Sequence, residues 1–259
     1  MIRHAVVDLD GTVYRGTEPV PGAGDAVTTL RDRDVSVTFL TNNATSSRTE
    51  YSEKLETLGI PAEPTDVVTS GTVTTEYLAT DHPDRTWFVV GEEPFRAMLR
   101  DRDVPLTAMP EQAEGVVVAL DREFDYGTLT EVVRAFETCD PLYVATNPDR
   151  TRPGERHPVP STGCLIGAVE GATGRRPDTV LGKPSPTAAG VLQEVHGIDF
   201  ERAVLVGDRL ETDIRFGKEL GMETALVLSG VTDEETARTA DDPPDHVLES
   251  IAAVPAVVD

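Results

Sequence analysis

Short runs of Val, Ile and Leu alternate along this chain with stretches in which apolar residues recur every three or four positions. The first kind of pattern predicts buried strands and the second amphipathic helices. Ala5 to Leu9 predicts a strand, and Asp25 to Arg33 a helix with Ala26, Val27 and Leu30 on its apolar face. A second strand is expected over Val35 to Leu40, followed by a helix over Thr49 to Leu58 that Gly59 closes. Past Gly71 the pattern is less regular: Thr86 to Val90, Gly115 to Leu120 and Leu142 to Thr146 predict strands, and Tyr126 to Phe136 a helix. A polar, Pro- and Arg-rich stretch runs from Asn147 to Pro160. Regular alternation then returns, with a helix expected over Pro186 to His196, a strand over Ala203 to Val206, a helix over Thr212 to Leu220 and a strand over Ala225 to Leu228. Strands that alternate with helices and read as continuous apolar runs predict an α/β fold with a doubly wound parallel sheet.

The strands near both ends of the chain finish in reactive polar residues, namely Asp8, Thr41 and Asp208. Open parallel sheets bind ligands outside the carboxyl ends of their strands, so neighbouring strands would bring these residues into one crevice. The middle segment has strands and helices of its own and reads as a second domain inserted into the first. Within Val6-Val7-Asp8-Leu9-Asp10-Gly11-Thr12, the two aspartates are two positions apart and are expected on the same face if the strand continues through them. Carboxylates held that close repel each other unless a cation, a shared proton or a polarised donor lies between them. An EF-hand is excluded, because its loop needs glycine at the sixth position and glutamate at the twelfth.

Composition narrows the partners. The 259 residues carry a formal charge of −23, which disfavours nucleic acid and anionic membrane surfaces. Lysine occurs only at Lys54, Lys183 and Lys218, and aromatic residues make up 5% of the chain. Abundant carboxylates with scarce lysine resemble the proteins of salt-accumulating halophiles, which makes a halophilic archaeon the expected source. Cys139 and Cys164 form no C-x-x-C pair, and no apolar run approaches the ~20 residues of a membrane span. A cytoplasmic protein with reduced thiols is expected.

Four ordered motifs carry a resemblance that covers nearly the whole chain. Asp8-Leu9-Asp10-Gly11-Thr12, the strand-end Thr41, Lys183, and Gly207-Asp208 with Thr212-Asp213 resemble the haloacid dehalogenase superfamily of phosphotransferases. Phe39-Leu40-Thr41-Asn42-Asn43, Ala145-Thr146-Asn147-Pro148-Asp149 and Gly182-Lys183-Pro184 are similar to its NagD-type branch, which includes sugar, nucleotide, phosphoglycolate and 4-nitrophenyl phosphatases. The resemblance implies a Rossmann-like core over residues 1–70 and 179–259. Residues 71–178 would form an inserted α/β cap of the C2 type, and a cap of this kind often joins dimer contacts, so a homo-oligomer through the cap is expected.

It also implies Mg²⁺-dependent hydrolysis of a small phosphorylated metabolite. Asp8 would be the nucleophile, forming an aspartyl-phosphate, and Asp10 the acid and then the base. Thr12 would orient Asp10, Thr41 and the Asn42 backbone would hold phosphoryl oxygens, and Lys183 would neutralise phosphate charge. Asp8, the Asp10 carbonyl and Asp208 would ligate the metal, with Asp213 supporting them. Asn147, Asp149 and Arg150 are expected to set specificity from the cap, where Arg150, Arg152, Arg156 and His157 form a basic stretch that could face an anionic substrate. Two alternatives share this chemistry. A phosphomutase or phosphotransferase would pass the phosphoryl group to another hydroxyl. A receiver-like signalling domain needs only ~120 residues and would place its phospho-accepting aspartate where this chain has Thr41.

Overall fold

A computed structural model describes residues 1–152 and 157–258. Six parallel strands form one sheet in the order His246–Leu248, Glu223–Val227, Ala203–Gly207, His4–Val7, Ser36–Thr41 and Val67–Thr69. The first strand is therefore central, with Val7 facing Phe39 on one neighbour and Val206 on the other. The chain steps outward on one side through Val67–Thr69 and fills the other side only after residue 202. That reversal is the switch point of a doubly wound sheet, and the carboxyl ends around it carry Asp8, Thr41 and Asp208.

Both faces of this sheet are buried, which explains why its strands read as continuous apolar runs. On one face Val7, Phe39 and Val206 pack with Val27 and Leu30 of helix Ala23–Asp32 and with Ile251 and Val254 near the C-terminus. On the other, Val6, Leu40 and Leu205 join a cluster that continues into Trp87, Val117 and Val144. These last residues belong to a second parallel sheet of five strands, in the order Thr179–Val180, Leu142–Ala145, Gly115–Val118, Trp87–Val90 and Leu106–Thr107. Helices Tyr126–Thr138 and Thr162–Thr173 cover its far face through Val132, Leu165 and Val169. The last strand of this sheet, Thr179–Val180, lies just past the segment expected to form the insertion.

The departures from expectation have local causes. The first strand ends at Val7 rather than Leu9, because the Leu9 carbonyl already accepts the N–H groups of Thr12, Val13 and Tyr14 and the chain is turning. Asp8 and Asp10 are thus not a pair on one strand face. Helix Ser70–Asp81 falls where the pattern was irregular: Ser70, Thr74, Thr75, Val73 and Leu78 are all buried, so no polar stripe marks it. The expected helix over Pro186 to His196 is α-helical only to Gly190 and widens into a π-helical turn over Val191–Val195. A second π-helical turn, Leu210–Ile214, precedes helix Arg215–Leu220. Inside the polar stretch, Thr151–Arg152 pairs antiparallel with Val159–Pro160, while Arg156 lies outside the described residues. Among the described residues no helix is long and apolar enough to cross a membrane, and both cysteines are free.

Candidate active site

Lys183 ties the two ends of the chain together. Its Nζ donates to Asp8 Oδ1 at 2.6 Å, to Asp213 Oδ1 at 2.7 Å and to the Leu40 carbonyl at 2.9 Å, which uses all three ammonium hydrogens. The lysine is buried, and it reaches inward from a turn whose backbone Asn42 brackets. Asn42 Oδ1 accepts the Lys183 N–H at 2.7 Å, and its Nδ2 donates to the Lys183 carbonyl at 2.9 Å. The role expected of Asn42 is a backbone contact with phosphate; its side chain has a further one, fixing the lysine turn. Gly182 permits that approach, since a Cβ there would lie 2.6 Å from Asn42 Oδ1.

Asp213 is placed by the π-helical turn. Its second oxygen accepts the N–H groups of Asp208 at 3.2 Å and Arg209 at 3.0 Å, so both oxygens are occupied within the protein. Asp208 differs. Its Oδ2 accepts the Val231 N–H at 2.8 Å, while its Oδ1 is buried with no hydrogen-bond partner among the described residues. Gly11 and Gly230 press against this carboxylate, and a Cβ on either would collide with it; Gly11 also has φ +93°, which favours glycine. One oxygen each of Asp8, Asp208 and Asp213 lies within 4.8 Å of the other two. Three carboxylates around one ammonium leave uncompensated negative charge. Together with the bare Asp208 oxygen, this fits a hard divalent cation ligated by Asp8 and Asp208, with Asp213 holding the lysine rather than the metal.

Asp10 lies in the turn, where it bridges to Tyr14, and accepts the Tyr14 hydroxyl at 3.2 Å. Thr12, expected to orient it, is buried with its Oγ1 unpartnered among the described residues; Tyr14 has that place, and Lys54 sits 3.5 Å above the Tyr14 ring. No spacing in the sequence pointed to Tyr14. Thr41 Oγ1 accepts the Asn43 N–H at 3.1 Å, which orients the oxygen and leaves its own hydrogen to donate.

The second sheet supplies the opposite wall. Asn147 Nδ2 donates to the Asn42 carbonyl at 2.7 Å, and Asn42 Nδ2 also reaches Asp149 Oδ1 at 3.3 Å. Arg150 is exposed and contributes its carbonyl to the Ser161 N–H, so its side chain is not in the wall. Arg152 is, together with Thr151, Ser161 and Thr162, while Arg209 lines the cavity from the end of the first sheet. Arg209 could have been suspected from its place directly after Asp208, whereas Ser161 and Thr162 carry no signal in sequence.

These residues enclose a cavity of about 40 Å³ lined by Asp8, Asp10, Thr41, Lys183 and Asp213. That is room for about three waters, the size of a phosphoryl group rather than of a sugar. Burial, reinforced by Asp213 and Asp208, pushes the Asp8 carboxyl well up despite Lys183. Burial, with Asp213 beside it, pushes Asp208 up to about 7. Burial also raises Asp10, opposed by Lys54 and the Tyr14 hydroxyl, which favours a carboxyl that holds its proton. Lys183 moves up, because Asp213 and Asp8 outweigh the cost of burying it.

The chain is similar over most of its length to known proteins. A family model described as haloacid dehalogenase-like hydrolase matches residues 5–105, and a related HAD-hydrolase-like model matches residues 180–254. The chain is 34% identical to a 5'-nucleotidase of Bacillus subtilis over 95% of its own length and 94% of that protein. It is 30% identical to an acid sugar phosphatase of Staphylococcus epidermidis, over 95% of this chain and 94% of that one. A 4-nitrophenylphosphatase from Thermotoga maritima superposes with a TM-score of 0.93 at 31% identity, covering 100% of this chain and 98% of the other.

Proposed function

The chain belongs to the haloacid dehalogenase-like hydrolases, and from that membership and the site we propose that it hydrolyses small phosphate monoesters through attack by Asp8. The observation that carries this reading is the convergence of Asp8, Asp10, Thr41 and Lys183 on one cavity of phosphoryl size. A carboxylate oxygen of Asp8 bonds to phosphorus as the bond to the ester oxygen breaks. Asp10, whose hold on a proton burial strengthens, gives a proton to that oxygen, and the leaving group departs as a neutral alcohol. Ionised Asp10 then takes a proton from a water whose oxygen attacks phosphorus; the Asp8–phosphate bond breaks and phosphate leaves. Thr41 donates its hydroxyl hydrogen to a phosphoryl oxygen. Lys183 holds Asp8 in place and lowers the negative potential that an incoming phosphate meets.

Mg²⁺ would be held by Asp8, Asp208 and the Asp10 carbonyl, where it supplies charge neutralisation for the phosphoryl group. Hydrolysis of 4-nitrophenyl phosphate is expected to stop in EDTA and return on adding MgCl₂; undiminished turnover in EDTA would contradict the metal site. The two-unit organisation supports a core under an inserted cap, the expected cap of residues 71–178 running on through Thr179–Val180, which is hydrogen-bonded to the cap sheet. The charge of −23 supports a salt-adapted enzyme. Dilution from molar to millimolar KCl should then unfold it by self-repulsion, as followed by far-UV circular dichroism, and a stable fold without salt would refute the adaptation.

A further inference from the structure

A cavity of about 40 Å³ accepts the phosphoryl group but leaves no room for what it is esterified to. A second cavity of about 680 Å³ adjoins it, and the two share Thr151, Arg152 and Arg209 as common wall. The larger one opens toward the turn after the first strand and is lined by Arg15, Arg152, Arg209 and His157, with Glu18 as its only acid among the described residues.

That charge is unusual in a chain with twice as many carboxylates as basic side chains. Many arginines elsewhere find acidic partners, as Arg31 does with Asp66, Arg122 with Glu92 and Arg215 with Glu219, although Arg85 and Arg96 donate to backbone carbonyls. Arg15, Arg152 and Arg209 have no carboxylate partner among the described residues. Two of them are instead anchored by backbone carbonyls: Arg15 Nε donates to Ser229, and Arg209 Nη2 donates to Thr151 at 3.3 Å. Arg152 Nε is buried with no partner at all among the described residues. Anchoring at one nitrogen fixes each guanidinium and leaves its other N–H groups for a ligand.

We propose that this cavity is a second anion subsite, so that the enzyme favours phosphate monoesters whose leaving group itself carries a phosphate or a carboxylate. The proposal rests on the phosphatase reading above and adds the substrate class. The scissile phosphate sits in the small cavity, the body of the leaving group passes Arg152 and Arg209, and the distal anion meets Arg15. Neutral sugar phosphates lack the group that Arg15 would hold.

The test compares kcat/KM for glucose 6-phosphate, 6-phosphogluconate and glucose 1,6-bisphosphate, with 4-nitrophenyl phosphate as reference, at fixed ionic strength. At least one of the two doubly anionic esters is expected to exceed glucose 6-phosphate by about tenfold or more, the value of a charge-assisted hydrogen bond. The one favoured shows whether the distal group is carboxylate or phosphate. In Arg15→Gln the ratio of that substrate's kcat/KM to that of 4-nitrophenyl phosphate should fall by about tenfold. A purely structural role for Arg15 would lower both together and leave the ratio unchanged, which overturns the proposal. So does wild-type enzyme that cleaves 4-nitrophenyl phosphate but does not distinguish the three sugars. Wild-type enzyme inactive on 4-nitrophenyl phosphate overturns the phosphatase reading, and the subsite falls with it.

Discussion

Asp8→Asn is expected to lower kcat for 4-nitrophenyl phosphate by about 10⁴-fold or more, the scale seen when a nucleophile is removed, and to leave the protein folded. Asparagine matches aspartate in shape and keeps an oxygen to accept the Lys183 hydrogen bond that Asp8 takes at 2.6 Å. What it lacks is the anionic oxygen that would bond to phosphorus. The fold should tolerate the change because Lys183 retains Asp213 and the Leu40 carbonyl. The variant also removes one of three crowded carboxylates, and burial with Asp213 and Asp208 already disfavours the charge on Asp8. Steady-state kinetics and a thermal melt on the same preparation check both halves. Near-normal hydrolysis would remove Asp8 as nucleophile, and a collapsed melt would show that its charge is structural.

Lys183→Met should act on stability as well as rate. Methionine fills much of the volume but leaves buried Asp8 and Asp213 without their ammonium partner, and breaking a buried pair by removing one member costs about 3–5 kcal/mol. The sign of the pH dependence follows from the carboxyls left behind. Burial already holds Asp8 well above the ordinary carboxylate range and Asp208 at about 7, and losing the lysine moves Asp8 further up. Below these values, and above the range of an unfolded carboxyl, the folded variant binds protons that the unfolded chain does not. Its stability should therefore recover as pH falls from neutral toward about 5. Urea midpoints at the two pH values measure this, and a midpoint equal to wild type at neutral pH would contradict the ion-pair account.

Strands were legible where a buried apolar run stops at polar residues: Ser36–Thr41 and Leu142–Ala145, one in each sheet, fall within a residue of expectation. Helix Ser70–Asp81 was not, since a helix buried on several sides shows no stripe. The site divides in the same way. Asp8, Thr41, Lys183 and Asp208 stand at the carboxyl ends of strands or in the turns just past them, where local pattern marks them. Gly230 against Asp208 and Lys54 over Tyr14 act through contacts between distant segments, and nothing near them in sequence announces the partner. Asp10 is the instructive case. Its spacing from Asp8 suggested a pair on one strand face, but the strand stops at Val7 and the turn sends Asp10 to Tyr14 and Asp8 to Lys183. The two carboxyls are thereby given different surroundings, as a nucleophile and a proton donor require.

Trapping the covalent intermediate is the most direct test that Asp8 attacks phosphorus. Enzyme mixed with Mg²⁺ and substrate, quenched in acid within the first turnover and digested, should yield the peptide containing Asp8 with the added mass of one phosphoryl group. The same peptide from Asp8→Asn should carry none. A phosphoryl group on any other residue, or full burst kinetics with Asp8 unmodified, would contradict the mechanism.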